Sequence, residues 1–281
     1  MLAVLGGFGA ALCWATGTVA AAYASRIVAP QRVLAWVMLV GFVVVVPMLA
    51  IAGPPGHVGL ENLGWLALSG AANVGGLLCV YAALRVGKIS IITPITSTEG
   101  AIAAVLAVAA GERLGAPTAV LLCVMAVGVV LASRGEDRGA PGAHPRQATM
   151  FAAGAALIFG CGLYATGRAS QALPLVWTLL PPRLIGVLAL TLPLLVRRRL
   201  GVPRSALPYV VLSGLCEVAG FASYALGARH GIAIAAVLAA QFAAFSVVAS
   251  YILFHERLRP LQLTGIATIA VAVAVLTAVR A

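Results

Sequence analysis

The chain has 281 residues, of which 62% are hydrophobic and only 9% are charged. A soluble domain carries about 25% charged residues, so these proportions exclude an ordinary water-soluble fold and indicate a protein buried in lipid. The net charge of +11 is compatible with nucleic-acid binding. However, the basic residues lie in short connections without interleaved aromatic residues, so nucleic acid is not an expected partner.

Ten apolar stretches, bounded by charged, proline or glycine residues, follow one another along the chain. Each stretch is about 18 to 23 residues long, enough for a helix to cross ~30 Å of hydrocarbon. The alternating pattern of a membrane β-barrel is missing. The expected spans are 2–24, 33–52, 62–84, 89–110, 116–133, 148–170, 175–196, 206–228, 232–254 and 261–280. We therefore predict an all-α membrane protein with ten transmembrane helices. Because no basic segment precedes the first stretch, we expect that stretch to be a retained span.

A repeat is hidden in these spans. Leu68–Gly76 recurs as Leu212–Gly220, with five of nine positions identical. The same offset of 144 residues superimposes the Glu-Arg-Leu sequence that starts at Glu112 on the one that starts at Glu256. A single offset that holds across separated stretches indicates an internal duplication, and duplicated membrane proteins are most often transporters with a substrate site between the halves.

The long connection near the middle of the chain divides it into two halves. We predict a first five-helix repeat at 1–133, a linker at 134–147 and a second five-helix repeat at 148–281. Because five is odd, the second repeat must be inserted upside down relative to the first, which makes the repeats inverted. Thirteen Lys and Arg residues lie in the odd-numbered connections, against four in the even-numbered connections and the C-terminus. The positive-inside rule therefore predicts a cytoplasmic linker and external termini.

Three sequence motifs carry a resemblance to a known family. The first span opens with Leu12-Cys13-Trp14-Ala15-Thr16-Gly17, and a tyrosine-containing stretch, starting at Tyr81 and at Tyr224, precedes each Glu-Arg-Leu turn. Together they resemble the EamA branch of the drug/metabolite transporter superfamily over nearly the whole chain. The resemblance implies ten helices in two inverted halves, alternating access and export of small metabolites such as amino acids. It also implies cytoplasmic termini, which is opposite to the charge count.

Two carboxylates fall near the middle of expected spans, Glu99 in the fourth and Glu217 in the eighth. A charge at the bilayer centre costs about 2.5–3.5 kcal/mol on insertion scales, so it persists where it faces a cavity, pairs with a cation or is protonated. The functional interpretations are proton coupling and the binding of an amine. The alternative is a structural carboxyl held by hydrogen bonds.

The duplication also brings neutral polar residues together. It places Asn73 opposite Glu217 and Ser97 opposite Gln241, so we expect these side chains near the midplane, where inverted-repeat transporters bind substrate. Hydrogen bonding between helices is the alternative role. The stretch Thr93–Glu99 adds Pro94 and several hydroxyls, including that of Thr96. A distorted polar segment at this depth favours a position along a cavity.

Aromatic and cationic side chains complete the candidate site. Trp14, Tyr81, Tyr164 and Tyr224 are candidates for an aromatic wall that attracts an ammonium group, although packing within the bundle would also explain each of them. Arg183 follows two prolines in the seventh span. It has three possible roles: to meet a substrate carboxylate, to pair with Glu217, or to reach toward the membrane surface.

The favoured function is a secondary transporter that exports small metabolites, above all amino acids, by alternating access. The alternative is a proton-coupled exporter of cationic or drug-like compounds that exchanges protons at Glu99 or Glu217. A scramblase or channel is a further reading. The histidines lie in connections without metal-ligand or catalytic spacing, and no nucleotide-binding loop is present. We therefore expect no enzyme activity, no metal and no cofactor. The expected partners are a small-molecule substrate, protons and the lipid bilayer, for a monomer in a bacterial inner membrane.

Overall fold

The computed structural model describes residues 1–56, 58–86, 92, 95–133, 145–254 and 260–280. Every regular element within these residues is a helix. In chain order the helices are α1 (Leu2–Ile27), α2 (Pro30–Ala52), α3 (Leu60–Val86), α4 (Glu99–Ala109), α5 (Ala116–Ser133), α6 (Pro145–Ala172), α7 (Leu175–Gly186), α8 (Leu192–Val196), α9 (Leu207–Ala228), α10 (Ile232–Ala239), α11 (Phe242–Phe254) and α12 (Pro260–Arg280). The predicted all-helical class is confirmed.

Six helical stretches in the described part of the chain are long and apolar enough to cross a membrane. They are Leu2–Ile27, Pro30–Ala52, Leu60–Val80, Arg146–Ala172, Leu175–Val196 and Leu207–Ala228. Shorter apolar helices lie where the other four spans were expected, at Glu99–Ala109, Ala116–Ala132, Ile232–Ser246 and Pro260–Leu276. The chain is therefore a multi-pass membrane protein, and the count of ten spans stays a prediction.

The seventh expected span is not a uniform α-helix. A five-residue π-helical segment, Val187–Thr191, joins α7 to α8. Pro193 lies two residues after its end, and a proline has no backbone N–H and clashes with the carbonyl four residues earlier. The wider π turn relieves that clash. The Thr191 hydroxyl, at the end of the segment, donates a 2.8 Å hydrogen bond to the Ala35 carbonyl of α2, which ties the distorted helix to its neighbour.

The ninth expected span is interrupted rather than continuous. A turn at Ala240–Gln241 separates α10 from α11, and here the Gln241 N–H bonds the Leu238 carbonyl, three residues back instead of four. In the first half, a turn at Ser97–Thr98 precedes α4. The 144-residue offset superimposes Ser97 on Gln241, so the turns before α4 and α11 fall at equivalent positions in the two repeats. Discontinuous helices of this kind are typical of transporter binding sites.

The two halves pack in an equivalent way. The most extensive helix pairs are α1 with α9 and α3 with α6. Because the offset relates α1 to α6 and α3 to α9, each of these pairs is the counterpart of the other. Two further pairs join equivalent helices directly: α2 with α7 and α5 with α12. Helices of the two halves thus interleave around a shared centre.

Glycines allow this close approach at equivalent positions. A Cβ atom added at Gly70 would lie 2.9 Å from the carbonyl oxygen of Pro181, and one added at Gly214 would lie 3.1 Å from the carbonyl oxygen of Val37. The offset relates Gly70 to Gly214 and Val37 to Pro181. The repeated Leu-Ser-Gly sequence therefore encodes a backbone contact that each half makes with the other.

Candidate functional site

A cavity of about 380 Å³ lies at the shared centre of the two halves. Six helical regions line it, namely α1, α3, α4, α6, α9 and α11, which are three pairs of equivalent segments. The lining residues are Trp14, Thr18, Ser69, Asn73, Leu77, Val80, Thr96, Ser97, Glu99, Phe159, Gly162, Leu163, Glu217, Phe221, Phe242 and Ala243. The volume is that of a small-molecule site, and the mixture of many apolar groups with a few polar ones is typical of such sites.

Six of the ten residues expected from the sequence line this one cavity. They are Trp14, Asn73, Thr96, Ser97, Glu99 and Glu217. They come from both halves and from the middle of their expected spans. The midplane carboxylates and the neutral polar residues that the duplication relates are thus brought together, apart from Gln241.

Glu217 forms an ion pair inside the bundle. The Arg183 guanidinium nitrogen Nη1 lies 3.6 Å from Glu217 Oε1. The Arg183 side chain is 1% exposed, whereas that of Glu217 is 25% exposed because it faces the cavity. Arg183 also lies 5.0 Å from the ring centroid of Phe221, close enough for a cation–π contact. The structure therefore favours the second role considered for Arg183, as a counter-ion held behind the cavity wall.

Glu99 has a different environment. It is the first residue of α4, directly after the Ser97–Thr98 turn, and it is 8% exposed. Within the described ranges, no Lys or Arg lies within salt-bridge distance of its carboxyl group. The turn itself is held by the Thr98 hydroxyl, which donates a 2.7 Å hydrogen bond to the Ile95 carbonyl. The cavity thus holds one carboxyl with a cationic partner and one without.

Two further polar atoms in the cavity wall lack partners in the described part of the protein. These are the indole N–H of Trp14 and the amide oxygen Oδ1 of Asn73, both of which are buried. A buried donor or acceptor without a partner costs about 1–3 kcal/mol. A substrate that reached these two residues would therefore find one unsatisfied donor and one unsatisfied acceptor.

The remaining four expected residues do not line the cavity or cannot be placed there. The Tyr224 hydroxyl is buried and donates a 2.8 Å hydrogen bond to the Leu163 carbonyl, just behind the wall. Tyr164 packs edge-on against Trp65 and lines a separate pocket. The Gln241 amide donates to the Val237 carbonyl of the preceding helix α10 at 2.9 Å. The side chain of Tyr81 lies outside the described residues, as do Thr93 and Pro94.

Several lining residues were not anticipated from the sequence. Three are the phenylalanines Phe159, Phe221 and Phe242, which with Trp14 give the wall four aromatic residues. Nothing distinguishes them from other apolar residues in an apolar helix. Ser69 could have been found, since it belongs to the repeated Leu-Ser-Gly sequence. Its hydroxyl lies 2.5 Å from that of Thr166.

The sequence pattern of the EamA-like transporter family matches the chain twice, at residues 1–134 and 146–278. The chain belongs to the EamA-like transporter family. The resemblance read from the sequence motifs is therefore confirmed, including its extension over both halves. This EamA-like chain is a membrane transporter of small molecules, and the family is one of transporters rather than enzymes, as expected from the sequence.

A solved crystal structure has the same fold as this EamA-like protein. The superposition covers 99% of this chain and 96% of the chain in that structure, with a TM-score of 0.79 and 18% sequence identity. At that identity the likeness concerns the fold alone. No curated protein matches the chain in sequence.

Proposed function

We propose that the protein is a secondary transporter that exports small metabolites, most of all amino acids, by alternating access. The observation that carries this proposal is the central cavity of about 380 Å³, which both repeats line with equivalent segments. A site at the interface of two repeats can be exposed to either side of the membrane when the repeats rock against each other.

The chemistry of the wall fits an amino acid. The Glu99 carboxyl and the Asn73 amide oxygen can accept hydrogen bonds from an ammonium group. The Trp14 indole N–H can donate to a carboxylate, with the positive charge of Arg183 in the layer behind. The three phenylalanines offer an apolar surface to a side chain. These groups, together with Thr96, Ser97 and Glu217, form the proposed substrate site.

The membrane arrangement belongs to the same proposal. Inverted five-helix repeats at 1–133 and 148–281 agree with the interleaved packing of equivalent helices. The distribution of thirteen cations against four supports a cytoplasmic linker. We place this transporter in a bacterial inner membrane, where it works as a monomer and moves substrate outward.

A second candidate function is the proton-coupled export of cationic or drug-like compounds. The observation that favours it is Glu99, which has no cationic partner in the described chain, in a cavity that four aromatic residues help to line. Carboxyl groups within membrane helices serve as proton carriers in pumps and transporters. Such a group could take up a proton in one facing state and release it in the other, so that protons and an aromatic-bound cation would exchange.

Proteoliposomes containing the purified protein test both candidates. Counterflow of labelled amino acids, and separately of quaternary ammonium cations, is measured with and without a pH gradient and in the absence of nucleotide. The proposal expects amino-acid counterflow above that of protein-free liposomes. Cation uptake driven by the pH gradient, without amino-acid counterflow, would favour the second candidate. Movement of neither class would contradict both.

A further inference from the structure

Glu112 makes a contact that joins the two repeats away from the cavity. It lies in the connection between α4 and α5, where Gly111 adopts a positive φ of 99°. Its carboxylate accepts the backbone N–H of Ile232 at 2.9 Å and that of Ala233 at 3.2 Å. These are the first two residues of α10, a helix of the second repeat whose preceding residue, Gly231, has no side chain to cap it.

This contact caps a helix electrostatically as well as by hydrogen bonds. The first N–H groups of a helix lack intrahelical partners, and its N-terminus carries a partial positive charge. A carboxylate from another part of the chain accepts hydrogen bonds from these N–H groups and also balances the positive charge. Here the supplier belongs to the other repeat, so the cap also fixes the position of α10 relative to the connection between α4 and α5.

The capped helix runs from this contact to the cavity. All eight residues of α10 are buried, and the helix ends at the Ala240–Gln241 turn. Phe242 and Ala243, directly after the turn, line the cavity. A displacement of α10 at its capped end would therefore be transmitted to the cavity wall.

A second, polar pocket of about 420 Å³, which we call the vestibule, lies on the other side of α10 from the cavity. Its lining includes Glu112, Arg113, Arg168, Arg229 and His230. Between the vestibule and the cavity lie α10 and the buried Tyr224, whose hydroxyl bonds the Leu163 carbonyl. The cavity is thus separated from the vestibule by a closed layer that Glu112 holds at its outer edge.

We propose that Glu112 is a latch between the repeats that keeps the vestibule end of the transport pathway closed in this conformation. The proposal rests on the alternating access described above. In the opposite facing state α10 must move away from the connection between α4 and α5, so that the carboxylate loses both N–H groups. Removal of the carboxylate then raises the population of the state that is open toward the vestibule.

The test measures access to the cavity from the vestibule face. An Ala243→Cys reporter in the cavity wall is introduced into full-length protein in which the native cysteines are replaced by serine. These are Cys13, Cys79, Cys123, Cys161 and Cys216. A membrane-impermeant maleimide is added from one side only, defined as the side from which a Gly115→Cys marker, on the exposed connection next to the vestibule, is labelled.

We expect Glu112→Ala to accelerate labelling of the reporter by about fivefold, the population change that corresponds to loss of a typical helix N-cap. Glu112→Gln keeps one acceptor oxygen without the charge, so its acceleration should be smaller. It also serves as the test variant if Glu112→Ala does not fold. If the reporter is labelled in Glu112→Ala and Glu112→Gln at the same rate as in the protein that keeps Glu112, the proposed role of Glu112 as a latch is wrong.

Glu61→Ala is the matched control. Glu61 pairs with Arg168 at 3.5 Å, joins the two halves and is exposed, but it does not contact α10. Its removal should leave the labelling rate unchanged. Equal acceleration by Glu61→Ala and Glu112→Ala would contradict the latch, because a general loss of negative charge would then explain both. Counterflow on the same preparations separates the two proposals, since absent transport contradicts the proposed function while the labelling rates still decide the latch.

Discussion

The two repeats are alike where they pack and different where they face the cavity. Gly70 and Gly214 each press against the backbone of the opposite half, and a serine precedes both. By contrast, Glu217 corresponds to Asn73, Arg183 to Leu39, and Glu99 to Ala243. The duplicated scaffold therefore keeps its close contacts in both copies, while each charge of the central site occurs in one copy only. A nearly symmetric fold thus encloses an asymmetric site.

The largest effect is expected at Glu99, the cavity carboxyl without a counter-ion in the described ranges. Under the proton-coupled candidate, Glu99→Gln keeps the shape of the side chain but cannot exchange a proton, so it should fold and bind substrate yet lose all pH-gradient-driven transport. Glu217→Gln, next to Arg183, should retain a response to the gradient. Transport by Glu99→Gln at the wild-type rate and with wild-type pH dependence would show that Glu99 is not the coupling site. If neither variant changes the pH dependence, the substrate gradient alone drives transport.

The buried ion pair offers the next comparison. Replacement of Arg183 by leucine, the residue at its counterpart position, leaves Glu217 without its cation and should lower the free energy of unfolding by about 3 kcal/mol. The double variant Arg183→Leu/Glu217→Asn reproduces the first repeat and should recover most of that loss. Thermal unfolding in detergent compares the two. Equal destabilisation of the single and double variants would mean that the pair is not the source of the effect.

The shared contacts should respond equally in both halves. Gly70→Ala and Gly214→Ala each force a Cβ atom against the backbone of the opposite repeat, which should cost about 1–3 kcal/mol. Gly154→Ala is the control, because nothing lies within 4 Å of a Cβ atom there, and alanine favours a helix. The same unfolding measurement applies. A large loss at only one of the two paired glycines would break the proposed equivalence of the contacts.

The smallest effect concerns the Asn73 amide oxygen, which has no hydrogen-bond partner among the described residues. If Asn73 Oδ1 accepts a hydrogen bond from substrate, Asn73→Ala should remove about 0.5–1.5 kcal/mol of binding, which appears as a KM several-fold higher with little change in the maximal rate. Ser213→Ala, on α9 outside the cavity lining, is the control. Unchanged KM in Asn73→Ala would remove this residue from the substrate site.

The sequence was most informative where a polar residue interrupts an apolar helix. Glu99, Glu217 and Asn73 stand out because each is costly in lipid, and all three face one cavity. Tyr164 and Tyr224 were harder to interpret, because these helices are apolar on every side and their periodicity does not reveal which face is inward. For the same reason the sequence did not indicate that Phe159, Phe221 and Phe242 line the cavity.

Other features depend on contacts that the spacing of residues along the sequence does not predict. The interruption at Gln241 could be expected only from its alignment with the proline-containing stretch of the first repeat. Its side-chain amide donates to the Val237 carbonyl of the preceding helix α10, since a long side chain can reach back by one helical turn. The Glu112 cap on α10 joins residues 120 positions apart in the chain, and the Glu-Arg-Leu sequence alone indicated no more than a turn.

One pair of substitutions on α1 tests most directly whether substrate passes through the central cavity. Thr18 is exposed to the cavity, whereas Thr16, two residues earlier, lines an apolar groove on another face of the same helix. Counterflow of amino acids in proteoliposomes is compared for Thr18→Phe and Thr16→Phe at equal protein levels. The central pathway predicts that Thr18→Phe blocks counterflow while Thr16→Phe leaves it near the wild-type rate. Full counterflow by Thr18→Phe would contradict transport through this cavity.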